Sequence, residues 1–233
     1  MSRTSTLATC VAVLGLAATA EAHFKLNDPA ALSQQSSLGD PQKSGPCGQA
    51  DPGNPLVPTN MVTAVQSGTM LTISINETVF HPGHYRVALA QDMNSLPADP
   101  PVTAGSTACG STVIDPNPTM PLLGDGLLQH TTSFGNAPKT MQVPIPAGLT
   151  CTNCVLQVTQ FMSNHGLNNP GGCFYHHCAT VSISPDAPPP TGDAGTTEPG
   201  TGTGCCSASP DAALTGLLGS LAVGLLALRR RRR

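Results

Sequence analysis

The sequence is poor in aromatic and charged residues. It contains no tryptophan, two tyrosines and five phenylalanines in 233 residues, and only 10% of its residues are charged. Within residues 23–184 there are four basic and eight acidic side chains. The region therefore has no basic patch, and nucleic acid is not expected as a partner. No long helical pattern and no internal repeat is found, which leaves short strands and loops as the main elements.

Residues 1–22 have the features of a secretory signal peptide. A basic residue lies near the start, the apolar run at 7–18 is too short to span a bilayer, and Ala-Glu-Ala at 20–22 is a typical cleavage pattern. Cleavage after Ala22 makes His23 the first residue of the mature protein. Its α-amine and imidazole can then chelate one metal ion through two nitrogens, so His23 is a candidate copper ligand.

The C-terminal part predicts a linker followed by a sorting tag or a membrane anchor. Residues 185–204 are rich in Pro, Gly and Thr and cannot bury enough apolar surface to fold. The segment 205–233 contains Cys205 and Cys206, then an apolar run at the short end of a membrane span, then five arginines that should stay cytoplasmic. A simple anchor and a tag that is cleaved are both consistent with this pattern. Either would place the protein at the cell surface or outer membrane.

Residues 23–184 remain as one domain, and it is long enough for a hydrophobic core. An even number of cysteines in an exported domain predicts up to three disulfides, and six cysteines allow fifteen pairings. The six are Cys47, Cys109, Cys151, Cys154, Cys173 and Cys178. A zinc site built from the last four is the alternative for the Cys-x-x-Cys pair at 151–154, but structural disulfides are favoured because a strand pattern follows it.

Short alternating segments predict the fold. Strand signals occur at 61–66, 70–76, 85–90, 141–145, 154–162 and 178–184, whereas 29–60 and 91–138 are loop-like. Pro144 places the fourth strand at a sheet edge. Short strands, long loops and several cysteines predict an all-β, immunoglobulin-like or fibronectin-like antiparallel β-sandwich. A monomer is expected.

Two motifs supply partners for His23. The turn His81-Pro82-Gly83-His84 holds two imidazoles three residues apart, and an amine with two imidazoles makes the three-nitrogen set that suits copper. His81 is the expected ligand, with His84 as the alternative; a plain surface turn is the competing interpretation. Tyr175 precedes the last strand and can approach a metal from the axial direction. His176 and His177 alternate in an extended chain, so at most one of them faces the site.

These motifs resemble those of lytic polysaccharide monooxygenases, copper enzymes with a histidine brace. The resemblance rests on the histidine that follows the signal peptide, the His-Pro-Gly turn at 81–83, and Phe-Tyr-His-His-Cys-Ala at 174–179. The pattern is most similar to a bacterial, largely myxobacterial, group of such domains, and the tail resembles myxobacterial sorting tags with processing near the double cysteine. Cys173 and His84 stand where the fungal family has glutamine and proline.

The resemblance implies a copper cofactor and oxidative cleavage of glycosidic bonds in chitin, cellulose or another glycan, with an external electron donor. It implies that Tyr175 fills or shields the axial position, that His165 is the outer histidine, and that Gln160 assists it. A copper-binding or scavenging protein that uses the same brace without catalysis is the alternative. A purely structural surface module is a third.

Overall fold

The computed structural model describes residues 23–49 and 53–188, which form ten β-strands and one short 3₁₀ turn at Met93–Ser95. The strands are β1 (His23–Asp28), β2 (Val62–Gln66), β3 (Met70–Val79), β4 (Gly83–Ala90), β5 (Val102–Thr103), β6 (Ser111–Thr112), β7 (Leu122–His130), β8 (Lys139–Pro144), β9 (Cys151–Met162) and β10 (Phe174–Ser184).

Three predictions concern other parts of the chain. The signal peptide at 1–22, most of the linker at 185–204, and the tag or anchor at 205–233 with Cys205 and Cys206 lie outside the described residues. In the part that the structure describes, no helix has the length and apolar character needed to cross a membrane.

Two sheets form a β-sandwich, as predicted. One has three strands in the order β1-β3-β8, and the other has five in the order β2-β10-β9-β4-β7. All pairs within these sheets are antiparallel except β2 with β10, which is parallel. β5 and β6 form a separate small ribbon. The predicted antiparallel β-sandwich is therefore confirmed, with one parallel pair at an edge strand.

The core lies between the two sheets and follows from strand alternation. On β3, Leu71, Ile73 and Ile75 point inward, and they belong to one buried cluster with Leu156 and Val158 of β9. Burying each such side chain contributes about 1.5–3 kcal/mol relative to leaving it exposed. This packing holds the small sheet against the large one and so determines where the ends of β1 and β3 lie.

The strand predictions hold for the alternating segments but fail in the second long loop. Strands are found where β2, β3, β4, β8, β9 and β10 were expected, and β8 ends at Pro144 on a sheet edge. The loop prediction at 91–138 is wrong because it includes β7. This strand contains two glycines, and its pairing with β4 shifts register three times, so it lacks the regular alternation of an undistorted strand.

The six cysteines form three disulfides. The pairs are Cys47–Cys178, Cys109–Cys173 and Cys151–Cys154. The alternative zinc site is therefore contradicted, because all four of its thiols are bonded to other sulfurs. The first two disulfides join long loops to β10 or to the residue before it. They fasten these loops to the outer face of the five-stranded sheet.

Candidate metal centre

The pairing of β1 with β3 brings His23 to the turn that carries His81. His23 is the first residue of β1 and lies opposite Val79, the last residue of β3. The next residue, Phe24, is held on both sides of its backbone. Its N–H donates to Gln42 Oε1 at 3.1 Å, and its carbonyl accepts from His177 Nε2 at 3.0 Å. The start of the strand is thus fixed by a loop residue and by β10.

The imidazole of His23 is enclosed by a tyrosine and a carboxylate. Its ring meets the Tyr175 ring edge-on, with centroids 5.3 Å apart and 64° between the planes. Its Nε2 lies 3.5 Å from Asp40 Oδ1. This contact with His23 lowers the pKa of Asp40. Nε2 is therefore the ring nitrogen that faces Asp40.

His81 is buried and neutral near pH 7. Burial, followed by the proximity of His165, lowers its pKa to about 4, and His23 also contributes. Its Nδ1 lies 2.7 Å from the carbonyl oxygen of Phe80, which accepts and therefore requires a proton on Nδ1. The lone pair is then on Nε2. A neutral imidazole with this tautomer has the electronic form of a metal ligand.

His165 packs against His81, with ring centroids 4.6 Å apart. Its Nδ1 contacts the carbonyl oxygen of Gly166 and therefore carries the proton. Its Nε2 is buried and has no hydrogen-bond partner among residues 23–49 and 53–188. A buried acceptor without a donor costs about 1–3 kcal/mol. The imidazole of His165 is therefore suited to a ligand that approaches His81.

Tyr175 and Gln160 occupy one row across the inner face of the five-stranded sheet. Gln160 pairs with Tyr175 on β10 and with Tyr85 on β4, and all three residues have no exposed surface. The Tyr175 hydroxyl donates to Asn168 Oδ1 at 3.4 Å. The Gln160 Nε2 group donates to Glu77 Oε1 at 3.5 Å. Sheet pairing therefore places the predicted tyrosine beside the predicted glutamine.

His84 lies elsewhere, although it belongs to the same turn as His81. Its ring packs on Phe161, with centroids 5.2 Å apart, and its Nε2 is 3.8 Å from Asp125 Oδ1. Burial lowers its pKa. Gly83 separates the two histidines, and a Cβ there would collide with the carbonyl of Phe161. Glycine therefore lets the turn lie directly on β9 before the chain enters β4.

His176 and His177 alternate faces, as expected for an extended chain. His176 points outward, and its Nε2 lies 2.8 Å from Asp99 Oδ1. His177 points inward to the backbone of β1, and burial lowers its pKa to about 4.

Sequence reasoning missed Glu77 and His130. The predicted strand ends at 76, but β3 continues through Glu77, which is only 6% exposed. His130 ends the unpredicted β7, and its Nε2 lies 2.9 Å from Glu77 Oε1. Contact with Glu77 raises the pKa of His130 despite the opposing effect of burial. Glu77 continues the period of two that Leu71, Ile73 and Ile75 set, and this position was the signal for a buried acid.

The donor set fits a small nitrogen site rather than a cage of side chains. Among the described residues, no group of three or more His, Cys, Asp or Glu side chains is arranged to hold a metal. Two imidazoles, His23 and His81, lie at the meeting point of β1 and the turn after β3. A third nitrogen can come from the backbone amine of His23 once the chain begins there. This set of neutral nitrogens matches copper better than calcium or magnesium.

Comparisons with known proteins concern the fold. No protein-family model matches the chain, and no curated protein matches it. A search of solved structures finds a lytic polysaccharide monooxygenase AA15 from Thermobia domestica in the Cu(I) state. The two are 20% identical, the match covers 61% of this chain and 77% of that chain, and the TM-score is 0.41. This match concerns the fold alone.

Proposed function

We propose that the processed protein binds one copper ion and uses it to oxidise polysaccharide outside the cell. The observation that carries the proposal is the position of His23. As the first residue of β1, it lies beside the His81 turn and against the Tyr175 ring. A chain that begins at His23 would supply three nitrogens at that point: the α-amine, Nδ1 of His23 and Nε2 of His81.

The copper ion would supply one-electron redox chemistry with oxygen or peroxide at an open coordination position. Asp40 orients the His23 ring through Nε2 and leaves Nδ1 to act together with the amine. The carbonyl of Phe80 holds the His81 ring in the tautomer that presents Nε2. These two contacts determine which ring nitrogens are available as ligands.

Two further residues would shape the space around the ligands. Tyr175 closes one side of the His23 ring, and Asn168 holds its hydroxyl. His165 offers a buried acceptor next to His81. In this role Tyr175 would restrict access to the metal from the side of the His23 ring, and His165 Nε2 would accept a hydrogen bond from a bound small molecule.

The location follows from the proposed processing. Removal of residues 1–22 would create the amine, and the three disulfides fit an oxidising compartment. Residues 205–233 would anchor the protein at the cell surface or outer membrane, with or without cleavage near Cys205 and Cys206. An external electron donor would reduce the copper.

The test uses two versions of the protein that differ by one residue. One begins at His23, and the other keeps Ala22 ahead of it. We expect the first to bind Cu(II) tightly and to show a type 2 electron paramagnetic resonance spectrum with coupling to three nitrogens. The second should bind far more weakly because its amine is an amide. Equal binding by the two would overturn the proposed ligand set.

Copper binding without catalysis is a second candidate, and the scarcity of aromatic side chains favours it. The chain has no tryptophan, and both tyrosines are fully buried. Among the described residues, the exposed large hydrophobic side chains are all leucine, valine or methionine. A surface for stacking on sugar rings is therefore not found in this part of the chain.

Product analysis separates the two candidates. Copper-loaded protein would be incubated with a reductant, peroxide and chitin, cellulose or a soluble glycan, and the oligosaccharides analysed by mass spectrometry. Oxidised products that require copper would support the enzyme. Tight copper binding with no oxidised product from any of these glycans would contradict catalysis and support a scavenging role.

A further inference from the structure

A buried carboxylate lies behind the turn that carries His81. Four N–H groups converge on Glu77. Oε1 accepts from the His81 backbone at 3.4 Å, from His130 Nε2 at 2.9 Å and from Gln160 Nε2 at 3.5 Å, and Oε2 accepts from the Phe134 backbone at 3.5 Å. One side chain thus joins the His81 turn to strands β7 and β9.

This arrangement determines the orientation of the Gln160 amide. Carboxylate oxygens accept hydrogen bonds and cannot donate them, so Gln160 must turn its NH2 group toward Glu77. Its carbonyl oxygen Oε1, on the same carbon, then points away from Glu77. Oε1 is buried and has no hydrogen-bond partner in the described residues. The orientation follows from the network, which is how amide orientations are assigned.

We propose that Glu77 is a positioning residue, an inference that rests on the proposed copper function. It holds the His81 turn by its backbone and fixes Gln160 so that the carbonyl oxygen, not the NH2 group, is offered to the site. His130 supports Glu77 with a charge-assisted hydrogen bond to the same oxygen, Oε1. The resemblance to the monooxygenases implies a role for Gln160 but none for Glu77 or His130.

The polarity of the site follows from this assignment. Gln160 Oε1 and His165 Nε2 are both buried acceptors that lack a donor within the described ranges. They select a small ligand that carries O–H groups, such as water, hydrogen peroxide or a sugar hydroxyl. A ligand that only accepts hydrogen bonds would leave both atoms unsatisfied and would therefore be disfavoured.

A second histidine–carboxylate contact provides a matched control. His84 Nε2 lies 3.8 Å from Asp125 Oδ1, and both residues are on the β4–β7 side of the same sheet. Asp125 also accepts from the backbone N–H groups of Asp115 and Gly126, at 3.0 and 2.8 Å. Asp125→Asn removes the same charge as Glu77→Gln, but at a residue that contacts His84 rather than His81.

The first arm of the test uses metal-free protein that begins at His23. Nuclear magnetic resonance would follow the side-chain NH2 protons of Gln160, with exposed Gln129 as the internal reference. We expect slow hydrogen exchange at Gln160 and a clear shift of its NH2 resonance in Glu77→Gln, with no shift in Asp125→Asn. If the Gln160 NH2 protons of the wild-type protein exchange as fast as those of Gln129, the proposal is overturned. This measurement does not depend on the folding of any variant.

The second arm measures copper affinity by competition titration. Loss of a group that orients a ligand typically costs 10- to 100-fold in metal affinity, so we expect the Kd of Glu77→Gln to rise by about 10-fold or more. Asp125→Asn should stay within about twofold of the wild type. Unchanged affinity in a folded Glu77→Gln variant would contradict the positioning role.

Failure of the two proposals would look different. A wild-type protein that binds no copper contradicts the proposed function, but the shift of the Gln160 NH2 resonance in Glu77→Gln still tests whether that group faces Glu77. A wild-type protein that binds copper tightly, with Gln160 resonances unmoved in Glu77→Gln, contradicts only the role of Glu77.

Discussion

The two sides of the five-stranded sheet use histidine in different ways. On the outer side, His84 and His176 direct Nε2 to carboxylates, Asp125 and Asp99. At the inner end, His81 and His165 place Nδ1 against backbone carbonyls instead. In the first pair a carboxylate occupies Nε2, whereas in the second pair a carbonyl on Nδ1 leaves Nε2 as an acceptor. His23 differs from both pairs, because its Nε2 faces Asp40 and its proposed donor is Nδ1. The contacts of each ring, more than the number of histidines, separate a ligand from a structural residue.

The strongest test of this comparison replaces each histidine of the shared turn. His81→Ala should weaken copper binding by more than about 100-fold, beyond the range for a group that only orients a ligand. His84→Ala should change it by less than about threefold, because its ring lies on Phe161 and near Asp125. Competition titration measures both, and thermal unfolding confirms that each variant is folded. The reverse order of effects would make His84 the ligand.

The second test concerns His177, whose inward ring donates to the Phe24 carbonyl. Burial lowers its pKa from 6.5 to about 4, so the unfolded chain binds more protons between these values. Stability is therefore complete above pH 6.5 and falls as the pH is lowered toward 4, by on the order of 3 kcal/mol for this group. His177→Gln keeps a donor but cannot be protonated there.

The measurement is urea unfolding at several pH values in metal-free protein. We expect the loss of stability between pH 6.5 and 4 to be smaller in His177→Gln than in the wild type. Protonation of His81 also destabilises the fold as the pH falls, because its pKa is likewise lowered to about 4. Part of the pH dependence of stability should therefore remain in His177→Gln. Identical slopes would show that His177 is not a neutral buried group.

The smallest expected effect compares the two tyrosines of the inner row. The Tyr85 hydroxyl is buried and has no hydrogen-bond partner among the described residues, whereas the Tyr175 hydroxyl donates to Asn168. Tyr85→Phe should therefore leave stability unchanged or raise it by about 1 kcal/mol, and Tyr175→Phe should lower it by about 1 kcal/mol. Chemical denaturation at pH 7 measures both. A clear loss of stability in Tyr85→Phe alone would reveal a partner for its hydroxyl.

Much of the fold could be predicted because alternation is a local property. Leu71, Ile73 and Ile75 mark β3 by themselves, and the even number of cysteines predicted three disulfides. β7 could not be predicted in this way, since its glycines and register shifts remove the period of two. His130 was missed together with the strand that carries it.

For the site, the sequence by itself determined the types of donor and their order along the chain. It could not choose between His81 and His84, because both lie in one turn. The tertiary structure gives the two rings different neighbours, because Gly83 packs on β9 between them. His81 lies against His165, and His84 lies against Phe161. The tertiary structure also decided the cysteine pairs and the contact of Glu77 with His130, which are 53 residues apart. Such contacts depend on how the sheets pair and pack, and no local pattern encodes them.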